Sequence, residues 1–430
     1  MAAAEPPPPS GMGFFGMLSF RRSATAVASF DPAQDDELLA LDALQSHVAD
    51  RLNALSAHAT PGAPLLSLPF LSKLLDAVVS SDAAFRGVLA LTPVAAALAR
   101  PPADRLAADL LDRAVKTLDV LNAASLTLAS LRAAHRAALA AASCLLLAPS
   151  LHTAHLARAR RAIARLFPAD DSASAKACGG YGGSVASPSS RTMRARSFSV
   201  SKNWSAGRHM NAMAAHLAPP PQSSPAAAAA GVGCGLGLAL YTMSSVLVFA
   251  MWALVGAVPC QDRASAASNP PVAPPKQAQW AAPMSALQER IAEEWRRKEK
   301  KGSCSGSAPT AGLLAEMQAV ERAARELNSV LEEIAEEEDE EKDEERRRQG
   351  IVGEERARDV TERAEELAAA CRALEDGLAP LERQVRAVFH RVVACRAEVV
   401  RCMDLSARAG TANAAAASAS GVPPQHQYSF

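Results

Sequence analysis

Apolar residues recur every three or four positions over most of this chain, and stretches rich in Pro, Gly and Ser separate the periodic runs. Asp31-Pro32 reads as an N-cap followed by proline at the first helical position. Leu38, Leu41, Leu44, Val48, Leu52 and Leu55 then line one face of an amphipathic helix that Pro61, Gly62 and Pro64 stop. A second helix is predicted from Leu68 to Val79, and Thr92-Pro93 repeats the cap-then-proline signal. Asp104 opens a run free of Gly and Pro up to Pro149, so the pattern predicts one helix of about 40 residues, roughly 60 Å long. A shorter helix over 151–167 carries Arg158, Arg160, Arg161 and Arg165. Residues 31–167 therefore read as an antiparallel helical bundle.

The C-terminal part, 284–408, opens with a helix at 284–301 and continues as two heptad-like runs. Leu313, Met317, Val320, Ala324, Leu327, Leu331 and Ile334 alternate steps of four and three. A charged run over 336–348, with nine acids and four bases, follows. The pattern resumes at Val360 and passes through Ala364, Leu367, Cys371, Leu374, Leu378, Leu381, Val385, Val388, Val392, Cys395 and Val399 to Cys402. Sustained 4-3 spacing is a coiled-coil seam. Asp376-Gly377 and Pro380 fall where a C-cap and a new first turn would lie, which predicts an αα-hairpin broken or kinked near 377.

Between these parts, residues 168–231 read as a flexible linker containing Gly179-Gly180-Tyr181-Gly182-Gly183 and Pro219-Pro220-Pro221. From 172 to 261 there is no acidic residue, against six basic ones. The segment 232–258 is uncharged and is the least polar part of the chain. It is long enough for the ~20 residues that cross a bilayer, and equally suited to a central helix buried on all sides. If it spans, the basic residues upstream place the N-terminal side in the cytosol. A Pro-rich spacer occupies 259–283, and residues 1–30 and 409–430 read as disordered ends.

Composition agrees with the pattern. Of 430 residues, 49% are hydrophobic but only 4% aromatic, and alanine is the commonest by a wide margin, so the fold class is all-α. The 45 basic and 45 acidic side chains balance, which excludes a surface devoted to nucleic-acid phosphates. None of the eight cysteines forms a C-x-x-C pair, and no secretory leader pattern precedes the first helix, so the thiols are expected to be reduced in the cytoplasm.

No catalytic motif survives inspection, and no enzyme, cofactor or metal is expected. Gly231-Val-Gly-Cys-Gly-Leu-Gly follows polyalanine instead of a strand, so it lacks the βαβ context of a nucleotide loop. His152 and His155 have no ligand-spaced Cys, Asp or Glu beside them. Two sites of another kind stand out. Arg296, Arg297, Lys298, Lys300 and Lys301 follow Trp295 at the end of a helix, a cluster able to dock on anionic lipid headgroups or simply to face solvent near a helix C-terminus. Arg194 and Arg196 precede Ser197 and Ser199 at the spacing that kinases with acidic grooves select, in a linker that a phosphate would locally reverse in charge.

Several long segments also carry a family resemblance. They are Asp112-Arg-Ala-Val-Lys-Thr-Leu-Asp-Val-Leu-Asn, 197–213, Tyr241-Thr-Met-Ser-Ser-Val-Leu-Val-Phe-Ala-Met-Trp-Ala-Leu-Val, Pro259-Cys-Gln-Asp-Arg, Trp280-Ala-Ala-Pro-Met and 377–393. Together they resemble the plant BYPASS-related family, whose members include ROH-type exocyst-interacting proteins, from about residue 13 to 405. The resemblance implies a non-enzymatic plant protein linked to an exocyst subunit, to polarised secretion and cell-wall deposition, and to developmental signalling. It also implies a transmembrane helix at the apolar segment in the form usually expected of members. The insert 226–238, the acidic run 336–348 and the Ala-rich ends depart from the family pattern. A second reading is a regulator of a mobile small-molecule signal that binds its ligand inside the bundle. Its candidate residues are Asp112, Asp119, Asn122 and His135.

Overall fold

The computed structural model describes residues 32–57, 63–91, 103–148, 150–164, 205–219, 234–258, 270–305, 313–340 and 352–419, with isolated positions at 94, 97, 98, 101 and 166. Among these residues there are nine helices and no strand. They are α1 (Pro32–Ala57), α2 (Leu68–Leu89), α3 (Ala103–Leu146), α4 (Thr153–Ala164), α5 (Ala206–Ala214), α6 (Cys234–Ala257), α7 (Ala281–Ser305), α8 (Ala315–Glu340) and α9 (Glu354–Ala419). Thr92-Pro93, Ser197, Ser199 and residues 341–351 lie outside the described set.

Two long helices form the frame. α3 has 44 residues and α9 has 66, and they pack antiparallel. Arg132 meets Glu382 at 3.0 Å and His135 meets Glu375 at 3.8 Å, which fixes that direction. Around the C-terminal half of α3 and the N-terminal half of α9 lie α4 and α8. The 4-3 seam predicted from sequence closes here, because α8 and α9 pack antiparallel with their seam residues buried. Arg363–Glu326 at 3.3 Å and Arg356 against Glu333 and Glu337 flank the seam and set its register. Exposed pairs of this kind stabilise little, so the buried seam supplies most of the energy.

Around the other halves of α3 and α9 lie α1, α2, α5, α6 and α7. α6, the apolar helix, sits in the middle and touches α1, α2, α3, α5 and α7. Gly235–Ala257 is long and apolar enough to cross a membrane, and in this fold nearly all of it is buried by protein. Phe249, Trp252 and Val248 have essentially no exposed surface. Its end is also tied: the Leu313 and Leu314 amides donate to the Gly256 and Ala257 carbonyls at 3.2 and 3.0 Å. The entry to α8 thereby satisfies carbonyls that every helix C-terminus leaves open.

Two readings of the sequence need correction. The helix break near 377 is absent, since α9 runs unbroken through Gly377 and Pro380. Gly377 is a packing notch: a Cβ built there would lie 2.5 Å from Leu68 Cδ1 and 2.7 Å from Leu68 Cβ. The close crossing of α2 over α9, together with burial of Leu374, Leu378 and Leu381, holds the helix across the proline. Second, the segment read as linker contains α5, which is docked through buried Met210 and Met213. α9 likewise keeps a helical backbone to Ala419, past the point where periodicity ends. One contiguous core joins residues from all nine helices except the described end of α9.

Candidate functional site

Residues 65–68, at the entry to α2, are held by three other helices. The Leu65 N–H donates to Glu294 of α7, and the Leu68 N–H donates to both carboxylate oxygens of Glu316 of α8 at 3.1 Å. The Leu66 carbonyl accepts from the Ala315 amide at 2.9 Å. Burial raises the pKa of both carboxyls above the usual range, opposed by the backbone N–H groups that each accepts. With Leu68 pressed on Gly377, this short stretch is gripped by α7, α8 and α9 at once.

A buried polar cluster fixes the start of the apolar helix. Gln45 of α1 donates from Nε2 to Thr242 Oγ1 at 2.7 Å, and its Oε1 accepts from Trp280 Nε1 at 2.7 Å. The Tyr241 hydroxyl donates to the Ala273 carbonyl at 3.3 Å, and its ring lies 6.0 Å from that of Trp280. At the rim, Gln279 bridges Ser46 and Asp42, each at 2.8 Å. Thr242, Tyr241 and Ser245 diluted the apolar character of 232–258 in the sequence. In the structure they are the groups that bind α6 to its neighbours or to its own backbone, with Ser245 Oγ donating to the Tyr241 carbonyl at 2.9 Å.

Another buried set lies between α2 and α9. Asp82 is buried beside Cys395 and lies 3.3 Å from Arg86 Nε, its carboxylate oxygens without a hydrogen-bond partner, and burial pushes its carboxyl pKa up. A cavity of about 20 Å³ beside it, lined by Val78, Leu110, Met243 and Val392 among others, has room for one water. The Cys395 and Cys402 thiols are also pushed up by burial, and Cys371 is pushed up to about 11. Such thiols are seam packing, as their spacing predicted, and are poor nucleophiles.

The residues nominated for a ligand do not converge. Asp112 is exposed and pairs with Lys116, Asp119 lies 3.6 Å from His209, Asn122 is exposed, and His135 is buried against α9. Arg113, which was not nominated, is buried and donates to the Met213 and Ala215 carbonyls at 3.0 and 2.9 Å, locking α5 onto α3. Its burial lowers its pKa. No group of three or more His, Cys, Asp or Glu suited to a metal occurs among the described residues.

Of the basic cluster, Arg296, Arg297 and Lys300 are exposed on α7, and Arg297 pairs with Glu293 at 2.6 Å. Lys298 and Lys301 are on the same helix, with side chains outside the described set. Trp295 is only 5% exposed, so the aromatic neighbour belongs to the core and is withdrawn from that surface.

The surface holds a further face that sequence periodicity alone did not separate from the core. On α3 the exposed residues Asn122, Leu126, Ala129, Ala133, Arg136 and Ala140, with Leu147 just past the helix end, follow 4-3 spacing on the side away from α9. Leu126 is 48% exposed and Leu147 83%. Arg136 is the one charge on this stripe, whereas the exposed faces of α8 and α9 are crowded with Glu and Arg. A second seam with nothing described against it is the geometry that receives a partner helix.

Residues 9–403 match the model of the family described as Protein ROH1-like. The chain is 32% identical over 430 aligned residues to Protein ROH1A of Arabidopsis thaliana, covering 91% of this chain and 95% of that one. It is 33% identical over 416 residues to Protein ROH1D of the same plant, with 89% and 94% covered. No solved structure matches the chain.

Proposed function

This chain belongs to the ROH1-like, BYPASS-related family, and from that membership we propose that it is a non-enzymatic helical adaptor that binds an exocyst subunit. In that role it modulates polarised secretion, cell-wall deposition or development in plant cells. The observation that carries the reading is the exposed 4-3 stripe on α3, from Asn122 to Leu147, on a rigid helix about 38 Å long over that span. A stiff rod whose seam carries a single charge, Arg136, is suited to docking a second helix and unsuited to holding a substrate.

The adaptor works in the cytoplasm and visits membranes through its partner and through Arg296, Arg297, Lys298, Lys300 and Lys301, which meet anionic headgroups. α6 then serves as the core of the bundle. Phosphorylation at Ser197 or Ser199 would reverse the charge of the basic segment before α5 and tune that visit.

The test uses recombinant exocyst subunits one at a time against the full chain. One subunit is expected to bind, and Leu126→Asp with Ala133→Asp is expected to abolish binding while leaving the helical circular dichroism unchanged. Absence of binding to every subunit, or binding indifferent to both substitutions, contradicts the reading.

A further inference from the structure

The exposed face of α9 is sorted by charge along its length. From Glu354 to Asp376 the helix carries eight acids and four bases, and from Gly377 to Arg408 three acids and six bases. The change of sign falls close to the middle of that span. Opposite the buried seam, one face runs the whole way with 4-3 steps through Arg358, Glu362, Ala369, Asp376, Arg386, Val393 and Asp404. Most of these positions are exposed, with Val393 45% exposed and Leu405 beside them 52%. Near the basic end, Arg396, Ala397, Arg401, Leu405 and Arg408 line a shallow groove of about 420 Å³.

We infer that this face is a self-association surface, on which a second copy of the chain packs its own α9 antiparallel about a twofold axis near Leu381. Turning the helix about that point places Asp376 opposite Arg386 of the second copy and Glu366 opposite its Arg396. It also places Arg358 opposite Asp404, Glu354 opposite Arg408, and Ala369 against Val393. Because the axis is twofold, each of these contacts occurs twice. Arg372 falls opposite His390 in this register, and Glu362, Glu365 and Arg383 fall opposite the uncharged Val400, Ala397 and Ala379, so the four opposite-charge pairs carry the specificity. A parallel pairing would set acids against acids and bases against bases, so the charge order selects the antiparallel arrangement.

Size supports the same occupant. The span 354–408 is about 80 Å long, and a strip about 10 Å wide along it gives on the order of 800 Å² per partner, the size of a standard interface. Small residues at Ala369, Ala373, Ala379 and Ala397 allow the helices to approach closely. Exposed charges dominate the contact, so it weakens as salt screens them.

The experiment is sedimentation equilibrium of the full chain between about 5 and 200 µM, at low and high salt. The wild type is expected to be dimeric at low salt, with a dissociation constant at least about tenfold weaker when salt screens the contact. Asp376→Arg alone and Arg386→Asp alone are each expected to be monomeric. An equimolar mixture of the two is expected to recover the dimer, because every contact at this pair again joins opposite charges. Leu126→Asp, on the α3 stripe, is expected to leave the dimer intact, which separates this surface from the exocyst-binding proposal. A wild type monomeric throughout, which would leave the face to a different partner, overturns the inference. So does a dimer indifferent to both charge reversals, or a mixture that stays monomeric.

Discussion

Alanine at Gly377 is expected to destabilise the fold, against the ordinary rule for glycine inside a helix. In an open helix Gly→Ala gains about 1 kcal/mol, because glycine loses more backbone freedom on folding. At 377 the added methyl would meet Leu68 Cδ1 at 2.5 Å and Leu68 Cβ at 2.7 Å. Rotation of Leu68 can relieve the first contact. The second is one atom from the α2 backbone, so the helices themselves must separate by several tenths of an ångström. Overpacking of this kind costs about 1–3 kcal/mol, which leaves a net loss of up to about 2 kcal/mol after the helical gain. Gly87 in α2 supplies the control, since a Cβ there meets nothing within 4 Å and alanine should add about 0.5–1 kcal/mol. Urea unfolding followed by circular dichroism reads both, as midpoints shifted in opposite directions with unchanged slopes. A Gly377→Ala midpoint that rises like that of Gly87→Ala would refute the notch and restore the view of Gly377 as a helix-breaking residue.

Further outcomes follow from the buried polar groups. Gln45→Ala leaves the Trp280 N–H and the Thr242 hydroxyl unpartnered in the core, so a loss of about 2–4 kcal/mol is expected by chemical denaturation; a loss under about 0.5 kcal/mol would contradict the cluster. Glu294 and Glu316 have raised native pKa values, so the protonated form is favoured by folding. Wild-type stability is therefore expected to fall, relative to Glu294→Gln/Glu316→Gln, as pH rises from the ordinary carboxylate value through the raised one, and parallel stability–pH curves would refute this. Arg113→Ala should release α5, read as new protease cleavage within 205–219 while α3 stays protected; unchanged cleavage would contradict that role. Cys371, Cys395 and Cys402 should react with maleimide at neutral pH only after denaturation, because burial disfavours each thiolate. Rapid native labelling at any of the three would refute their place in the seam.

Periodicity carried the large features because burial imposes it. The 44-residue helix, the α8–α9 seam and the start of α1 at Pro32 follow from local rules about propensity and 3.6- or 3.5-residue repeats. The role of Gly377 was hidden, since the same residue marks a helix end or a close crossing and only the position of Leu68 separates them. Trp295 beside the basic cluster looked like an interfacial aromatic, but sequence order does not say which face of α7 it occupies. The grip of Glu294 and Glu316 on residues 65–68 joins segments more than 200 residues apart and leaves no local trace. The α3 stripe was embedded in one run of Ala and Leu, where the buried and exposed seams have nearly the same composition.

The central claim is that the apolar helix is the interior of a helical bundle. Its most direct measurement is hydrogen exchange on the full chain, purified without detergent and resolved to the amides of 236–257. A monodisperse protein is expected, in which these amides exchange as slowly as the most protected ones in α3 and α9, because all open only with the fold. Rapid exchange across 236–257 in a chain whose other helices stay protected would contradict it. So would a protein that resists carbonate extraction from membranes and gains that protection only in lipid.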